Sequence, residues 1–376
     1  MRFVRLRLLA IAAAALVFAT PAHAGAPAVS SRAYFVVNPA TGEVLAQKRA
    51  WARVPIASIT KLMTVIVALD HTRWNDVVRV QREAADVGES TINLRAGERI
   101  TVGDLVKGAL IQSANDAADA LADYVGHGDE AAFVRMMNAK ATALGLARTH
   151  FARPDGLDAS NHYSTALDVT RLAETAMRDP RIRAVVRQRT ASISGGRRLH
   201  TWNDLLGVFG GLYGVKTGHT SAAGWCEVAA VRRNGATLYT TVLGNATRSQ
   251  RNADLAALLR WGVSRYRQAW VVQPRRVYLK ATVGYGKADV PIVAVRGAAG
   301  PVRIDRPLVE RVVAPAALSL PVTRGQRVGE VRVYSGKRLV ARRALVAERS
   351  IARPSLGGRV GFYVSRTFHN IGSWFS

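Results

Sequence analysis

The chain has 376 residues, a formal net charge of +27 and a single cysteine, Cys226. One cysteine excludes an intrachain disulfide, and this length exceeds what one ordinary hydrophobic core holds, so we expect two domains. The basic charge suits an anionic membrane surface or wall polymer, and export of the chain, predicted from its first residues, argues against nucleic acid as the partner.

Residues 1–24 have the features of a secretory signal peptide. Three arginines give a basic start, residues 8–19 form an apolar run, and Ala22-His23-Ala24 is a small-x-small cleavage site. The apolar run is shorter than the ~20 residues that a membrane-spanning helix needs. We therefore predict cleavage after Ala24 and export to the periplasm.

Residues 25–270 carry the pattern of one α+β domain. Its predicted elements are, in chain order, a β-hairpin (33–37 and 44–48), a helix (56–69), a helix-rich region (82–179, with helical periodicity at 102–124 and 130–144), three strands (214–217, 225–232 and 237–243) and a helix (254–267). Arg233-Asn234-Gly235 is a hairpin turn between the last two strands. Strands from both ends of the segment predict an antiparallel sheet flanked by helices, with a helical insert between them.

Residues 271–350 differ in character. Short β-branched or alternating runs, punctuated by Pro and Gly, predict a small all-β module with strands at 276–283, 291–295, 328–334 and 338–346. Residues 353–358 are predicted to be a linker, the first part of a tail that spans 351–376.

The tail has the pattern of an amphipathic helix. Its apolar residues fall at helical spacing and are Val360, Tyr363, Val364, Phe368, Ile371 and Phe375. Arg359, Arg366 and His369 lie on or beside the other face, and no acidic residue occurs there. This pattern is typical of a helix that lies in a membrane interface, so we predict peripheral attachment to the outer face of the cytoplasmic membrane. The alternatives are a helix docked on the β module and a frayed chain end.

The first of three short motifs is Ser58-Ile59-Thr60-Lys61. On a helix, a spacing of three places Ser58 and Lys61 on one face. A serine hydroxyl needs an adjacent base to act as a nucleophile, and a lysine is a base only when neutral. Burial and a nearby positive charge, which Lys216 would supply, both lower a lysine pKa. The alternative is that Ser58 is an ordinary polar residue at a helix N-terminus.

The second motif is Ser113-Ala114-Asn115. Ser113 would pass a proton to a leaving amine, and Asn115 would bind the substrate backbone and orient Lys61. The alternative is that one of the two polar side chains caps the following helix.

The third motif is Lys216-Thr217-Gly218, predicted on an edge strand beside the nucleophile. Lys216 and Thr217 would donate hydrogen bonds to a substrate carboxylate, and Gly218 would let a substrate backbone approach. The main-chain N–H groups of Ser58 and His219 are candidate oxyanion-hole donors. The eight histidines are scattered without metal-ligand spacing, so we predict no metal and no cofactor.

Each motif is weak alone, but each occurs once and in one order. With these motifs the chain resembles the low-molecular-mass penicillin-binding proteins, serine-type D-alanyl-D-alanine carboxypeptidases. The resemblance runs from about residue 30 to the C-terminus and rests on residues 55–64, 113–116, 162–165 and 215–220.

The resemblance implies a penicillin-binding/β-lactamase-like fold with a β-rich C-terminal module and a terminal membrane helix. It implies removal of the terminal D-alanine from peptidoglycan stem pentapeptides through an acyl intermediate on Ser58, and covalent inhibition by β-lactams. Arg251 matches a family arginine that helps hold the terminal carboxylate, or is a surface arginine of a helix.

Two positions depart from the family pattern. Trp202 stands where some members carry a carboxylate-binding arginine, and Asp155 stands where many carry histidine. These departures leave substrate preference and deacylation rate open, but not the reaction class.

Three other functions share part of this pattern. A class A β-lactamase would need a glutamate in the loop near residues 152–162, which holds Asp155 and Asp158 only, so we expect slow deacylation. A D-alanyl-D-alanine endopeptidase acting on cross-links would share all three motifs. A non-catalytic wall-binding protein would not need Ser58.

Overall fold

The computed structural model describes residues 13–14 and 25–372. The predicted signal peptide, residues 1–24, lies outside them except for the two-residue strand β1 (Ala13–Ala14). The chain forms two compact units, one from Ala24 to Ser264 and one from Arg265 onward. Among the described residues, no helix combines the length and the apolarity needed to cross a bilayer.

The first unit contains one main sheet and a helical region. Its regular elements are, in chain order, β2 (Ala33–Asn38), β3 (Glu43–Lys48), a 3₁₀ turn (Ala57–Thr60), α1 (Lys61–His71), β4 (Val77–Arg79), α2 (Arg82–Ala85), β5 (Arg99–Thr101), α3 (Val102–Lys107), a π-helical turn (Gly108–Gln112), α4 (Asn115–Gly126), α5 (Glu130–Ala143), α6 (Ala166–Ala176), α7 (Pro180–Val185), β6 (Thr190–Ile193), a 3₁₀ turn (Ser194–Gly196), β7 (Arg197–His200), β8 (Leu212–Thr220), β9 (Gly224–Arg233), β10 (Ala236–Asn245) and α8 (Arg248–Ser264).

The main sheet of this unit is antiparallel, with the order β3-β2-β10-β9-β8. All six residues of β2 are buried, and helices α6 and α8 pack on β10. Strands from the two ends of the segment therefore meet in one sheet, with the helices between them in sequence. This confirms the predicted α+β fold with its helical insert.

The predicted turn between β9 and β10 is confirmed. Arg233 pairs with Ala236, so the loop consists of Asn234 and Gly235 alone, at φ +53° and +78°. Positive φ at both positions is the type I′ geometry that matches the twist of a hairpin, and Asn-Gly is the pair that adopts it at least cost.

Two segments that were predicted to be continuously helical are interrupted in the structure. The helix predicted over 56–69 consists of the 3₁₀ turn followed by α1, which begins at Lys61. The helical pattern over 102–124 is interrupted at Ser113, which lies in the left-handed region at φ +65°. Both interruptions fall at motif residues, where side-chain placement overrides helical periodicity.

The bounds of α8 also differ from those predicted. The helix begins at Arg248, not at 254, because the Thr247 hydroxyl accepts a hydrogen bond from the Gln250 N–H (3.1 Å) as an N-terminal cap. It ends at Ser264, since a strand begins at Tyr266.

The second unit contains the predicted small all-β module. Its elements are β11 (Tyr266–Val272), β12 (Val277–Val283), β13 (Val290–Ala294), β14 (Ala298–Arg303), β15 (Leu308–Val313), β16 (Ala317–Leu318), β17 (Arg327–Ser335), β18 (Arg338–Ala347) and helix α9 (Leu356–Gly372). The main sheet has the order β1-β15-β17-β18-β13-β12-β16, and β11 pairs with β14. Strands β11, β14, β15 and β16 were not predicted.

The tail helix of the second unit is present, and it begins earlier than expected. The predicted linker 353–358 is wrong in its second half, because α9 starts at Leu356. Leu356, Val360, Tyr363 and Val364 are exposed on it.

Candidate active site

Ser58 lies in the 3₁₀ turn that leads into α1. In a 3₁₀ turn, side chains three residues apart are eclipsed, so the predicted alignment of Ser58 with Lys61 survives without a regular α-helix. The Lys61 ammonium nitrogen (Nζ) lies 2.8 Å from the Ser58 hydroxyl oxygen (Oγ). The N-cap residues of this turn and of α1 are Ile56 and Thr60, so Ser58 is the N-cap of neither.

Lys61 is fully buried beneath the nucleophile. Its Nζ donates to the Asn115 side-chain carbonyl (2.6 Å) and to the Asp155 backbone carbonyl (2.6 Å). Burial lowers the pKa of Lys61 to about 8, against the attraction of the Asp155 carboxylate. A lysine whose pKa is this low has a substantial neutral fraction near neutral pH and is able to act as a base.

Ser113 and Asn115 reach the same cavity from the break before α4. Lys216 Nζ donates to Ser113 Oγ over 2.7 Å, and Asn115 faces Lys61. Neither side chain caps α4, whose N-terminal residue Ala114 makes no side-chain hydrogen bond. The capping alternative is therefore wrong, and left-handed Ser113 turns its hydroxyl toward Lys216.

Lys216 lies on β8, which is an edge strand as predicted. Burial, and then the positive charge of Lys61, hold the pKa of Lys216 well below its usual range. The expected like-charge effect thus acts on Lys216, whereas burial is what lowers the pKa of Lys61.

Gly218 is required where β8 passes the nucleophile turn. A Cβ at this position would lie 2.9 Å from the Ile56 carbonyl oxygen and 3.1 Å from the Ser58 nitrogen. Any side chain would separate the strand from the turn and cover the Ser58 N–H. Glycine is therefore needed for packing within the site, a reason distinct from the substrate approach predicted for it.

A cleft opens above these residues, lined by Ser58, Ser113, Asn115, Thr217, Gly218, His219, Arg251 and both Trp202 and Trp225. The His219 ring is exposed and stacks on Trp225 with their centroids 4.1 Å apart. The ring therefore faces a tryptophan, and the part of His219 that was predicted to act in the site is its main-chain N–H.

Arg251, from α8, is almost completely buried at one end of this cleft, so it is not a surface arginine. Its Nη2 lies 3.0 Å from a carboxylate oxygen of Asp204, and its Nε lies 3.1 Å from one of Glu227. Trp202 is one of the two positions that depart from the family pattern. Its indole nitrogen donates to the Gln112 backbone carbonyl (2.9 Å), and its ring stacks under the Arg248 guanidinium.

The carboxylates of the loop near Asp155 are occupied. Asp155 accepts two hydrogen bonds of 2.6 Å from Arg153, and Asp158 accepts from the Thr220 hydroxyl (2.6 Å) and the Ala222 N–H. Neither carboxylate makes a hydrogen bond to Ser58 or Lys61.

Glu89, Asp204 and Glu227 were not among the predicted site residues. Glu89 is an exposed residue that lines the cleft, and the other two contact Arg251. None of the three stands in a motif. Only Glu227 has a signal in the sequence, because it is a single glutamate within the apolar run of β9. Among the residues that the structure describes, no cluster of His, Cys, Asp or Glu has the makeup of a metal site.

A family model described as D-alanyl-D-alanine carboxypeptidase matches residues 20–247. The D-alanyl-D-alanine carboxypeptidase DacC of Escherichia coli strain K12 is 33% identical, over 96% of this chain and 94% of its own length. The D-alanyl-D-alanine carboxypeptidase of Streptomyces sp. strain K15 is 35% identical, over 67% of this chain and 94% of its own length.

Solved structures agree with these relatives. The D-alanyl-D-alanine carboxypeptidase DacD from Francisella tularensis superposes with a TM-score of 0.65 and 25% identity, covering 90% of this chain and 98% of the other. The Streptomyces K15 DD-transpeptidase superposes with a TM-score of 0.61 and 32% identity, over 64% of this chain and all of the other.

Proposed function

The chain belongs to the D-alanyl-D-alanine carboxypeptidase family, and we propose that it removes the terminal D-alanine of peptidoglycan stem pentapeptides through an acyl intermediate on Ser58. It is a serine-type peptidase that acts on peptidoglycan and binds β-lactams. The observation that carries the site assignment is the contact of Lys61 Nζ with Ser58 Oγ at 2.8 Å, made by a lysine whose pKa is lowered.

Acylation uses Lys61 as the base. Neutral Lys61 takes the proton of the Ser58 hydroxyl while Oγ attacks the carbonyl carbon of the penultimate D-alanine. The oxyanion is stabilised by the N–H groups of Ser58 and His219. Collapse breaks the peptide bond, and the leaving amine receives, through the Ser113 hydroxyl, the proton that Lys61 took from Ser58, while Lys216 holds Ser113 from 2.7 Å.

Deacylation returns the enzyme to its starting state. A water attacks the acyl carbon and gives its proton to neutral Lys61, which passes that proton to Ser58 Oγ as the ester bond breaks. The carboxylates of Asp155 and Asp158 are engaged by other residues, so Lys61 serves as the base in this step too. Because the loop near residues 152–162 has no glutamate of the kind that a class A β-lactamase uses, a β-lactam ring-opened on Ser58 is expected to stay attached and inhibit.

The terminal carboxylate of the substrate is held by Thr217 and Arg251. Both line the cleft, and Lys216 lies next to Thr217 on the same strand. A carboxylate that accepts hydrogen bonds from a hydroxyl and a guanidinium is bound through charge-assisted contacts. Trp202 adds an apolar wall where an arginine would add a second cation.

Acylation is expected to rise with pH. Only the neutral form of Lys61 accepts the Ser58 proton, and its pKa is lowered to about 8. Below that value the neutral fraction falls about tenfold for each pH unit, and above it the rate levels. Stopped-flow acylation by a penicillin between pH 6 and 9 measures this profile. A rate that is flat from pH 6 to 9 would contradict Lys61 as the base.

The test of the function is mass spectrometry of pentapeptide muropeptides, monomeric and cross-linked, incubated with the mature protein. Loss of one terminal D-alanine from the monomer is the expected result. Cleavage of the cross-linked dimer alone would favour the endopeptidase. No change in either substrate, from folded protein, would favour a non-catalytic wall-binding protein.

We also propose that the protein is exported and held on the outer face of the cytoplasmic membrane by α9. Leu356, Val360, Tyr363 and Val364 are exposed on this helix, at 79%, 62%, 58% and 49%. Such an apolar surface, in a segment with no acidic residue, suits an anionic lipid interface. The proposed organisation is a peptidase domain over 25–270, the β module over 271–350 and the anchor over 351–376.

Removal of residues 359–376 is expected to release the protein from membranes with its activity unchanged. The peptidase motifs lie in the unit that ends at Ser264, so they do not depend on the helix for their fold. Membrane flotation of both forms, with penicillin labelling of each fraction, measures the result. A truncated protein that still floats with vesicles would contradict the anchor.

A further inference from the structure

We propose that Glu227 is a specificity-determining residue that sets the affinity of the cleft for an anionic substrate end by offsetting the charge of Arg251. This inference rests on the proposed function, in which Arg251 and Thr217 hold the terminal carboxylate. Glu227 touches neither the nucleophile nor the bond that breaks, so it acts on substrate choice through Arg251.

Glu227 stands directly behind the carboxylate site. It pairs with Thr217 across β9 and β8, so the two side chains lie on the same face of the sheet. The Glu227 side chain is fully buried, and neither of its carboxylate oxygens has a hydrogen-bond partner among the described residues. Its contact with Arg251 at 3.1 Å is therefore an ion-pair contact without directed hydrogen bonds.

Arg251 retains donor capacity despite its two acidic neighbours. Its Nη2 donates to Asp204 and Asn252, and its Nε donates to Asn252. Among the described residues, none accepts a hydrogen bond from Nη1. The guanidinium is thus fixed in place by the protein and still has a nitrogen available to a ligand in the cleft that it lines.

The charge of this cluster depends on Glu227. Arg251 and Arg248 contribute two positive charges, and Asp204 contacts both. With Glu227 ionised, the four groups sum to zero, and with Glu227 protonated they sum to +1. In a buried site, one unit charge a few ångströms from the ligand changes anion affinity by about tenfold or more.

Glu227 is placed to change its charge near neutral pH. Burial raises its pKa to about 7, and Asp204 adds to this effect, while Arg251, Lys216 and Arg248 oppose it. Below pH 7 the protonated side chain leaves Arg251 with an uncompensated charge, which strengthens binding of a carboxylate. Above pH 7 the ionised side chain weakens it, whereas a substrate with an uncharged end is affected little.

A purely structural role would not need a carboxylate at this position. Glu227 accepts no hydrogen bond that would position Arg251, and Asn252 and Asp204 already hold two of the guanidinium nitrogens. An uncharged residue of similar volume would fill the space between β9 and α8 without the cost of burying a charge. What the carboxylate adds is its negative charge.

The experiment compares two peptides that differ only at the C-terminus, one ending in the free D-alanine carboxylate and the other in its amide. The ratio of their kcat/KM values is measured at pH 6 and pH 8.5 for the wild type and Glu227→Gln. Titration of Lys61 cancels in this ratio, because it affects acylation by both peptides alike. We expect the carboxylate preference of the wild type to fall about tenfold between the two pH values.

Glu227→Gln is expected to keep a high carboxylate preference at both pH values, because the amide has the shape of the protonated carboxyl. Glu83→Gln is the matched control: it removes the same charge from an exposed site on α2 and should leave the ratio of the wild type unchanged. Circular dichroism melting checks that each variant is folded.

The outcomes separate this inference from the function on which it rests. A carboxylate preference that is independent of pH in the wild type, or whose pH dependence persists in Glu227→Gln, would overturn the role of Glu227 alone. A ratio near one at both pH values, from a protein that still releases D-alanine, would overturn the carboxylate role of Arg251 and with it that of Glu227. If the glutamine variant does not fold, the pH dependence of the wild-type ratio decides.

Discussion

Ser58→Ala is expected to abolish covalent labelling by penicillin and release of D-alanine, with the fold retained. The substitution removes the only atom that forms the acyl bond, and no neighbouring hydroxyl takes its place, since Ser113 Oγ is held by Lys216. The lost hydrogen bond leaves Lys61 with two further acceptors, so the free energy of unfolding should change by about 1 kcal/mol or less. Intact-protein mass spectrometry after penicillin treatment measures the adduct.

The control is Ser90→Ala, which removes a hydroxyl from another half-buried serine of the same cleft. Ser90 Oγ donates to the Gln112 backbone carbonyl and contacts neither lysine, so its variant should acquire the adduct at close to the wild-type rate. An adduct on folded Ser58→Ala would refute the assignment of the nucleophile.

Lys61→Met is expected to slow acylation by about a thousandfold or more. Methionine has a similar length and no amine, so the Ser58 hydroxyl loses its base, and general-base catalysis contributes about 10² to 10⁴ in rate. The Asn115 and Asp155 carbonyls lose their donor, a cost of about 1 to 3 kcal/mol each when unsatisfied. That loss is opposed by removal of the desolvated charge, so we expect a modest change in melting temperature beside a large change in rate.

Two measurements distinguish the base from a residue needed only for packing. The acylation rate that remains in Lys61→Met should lose the pH dependence centred near 8, and Lys140→Met, a half-buried lysine paired with Asp70, should retain it. Acylation by folded Lys61→Met within tenfold of the wild type would show that another group accepts the Ser58 proton.

The sequence alone identified the chemistry of this protein, because each motif is a local signal. Ser58 with Lys61 depends on a spacing of three, and eclipsing in a 3₁₀ turn preserves that spacing even though the predicted helix is wrong. Alternation and turn residues likewise located β9 and β10, since Asn234-Gly235 adopts the required backbone angles whatever surrounds it.

The partners of each polar group were decided only by the tertiary structure. Lys216 meets Ser113 across 103 positions, and Lys61 meets the Asp155 carbonyl across 94, contacts that no local pattern encodes. The pKa of Lys61 falls because the helical insert closes over it and excludes water, which is a property of packing. The tertiary structure also decided the role of Glu227, because it buries this carboxylate in contact with Arg251. The energy of an ionised group depends on the surroundings that the whole fold provides.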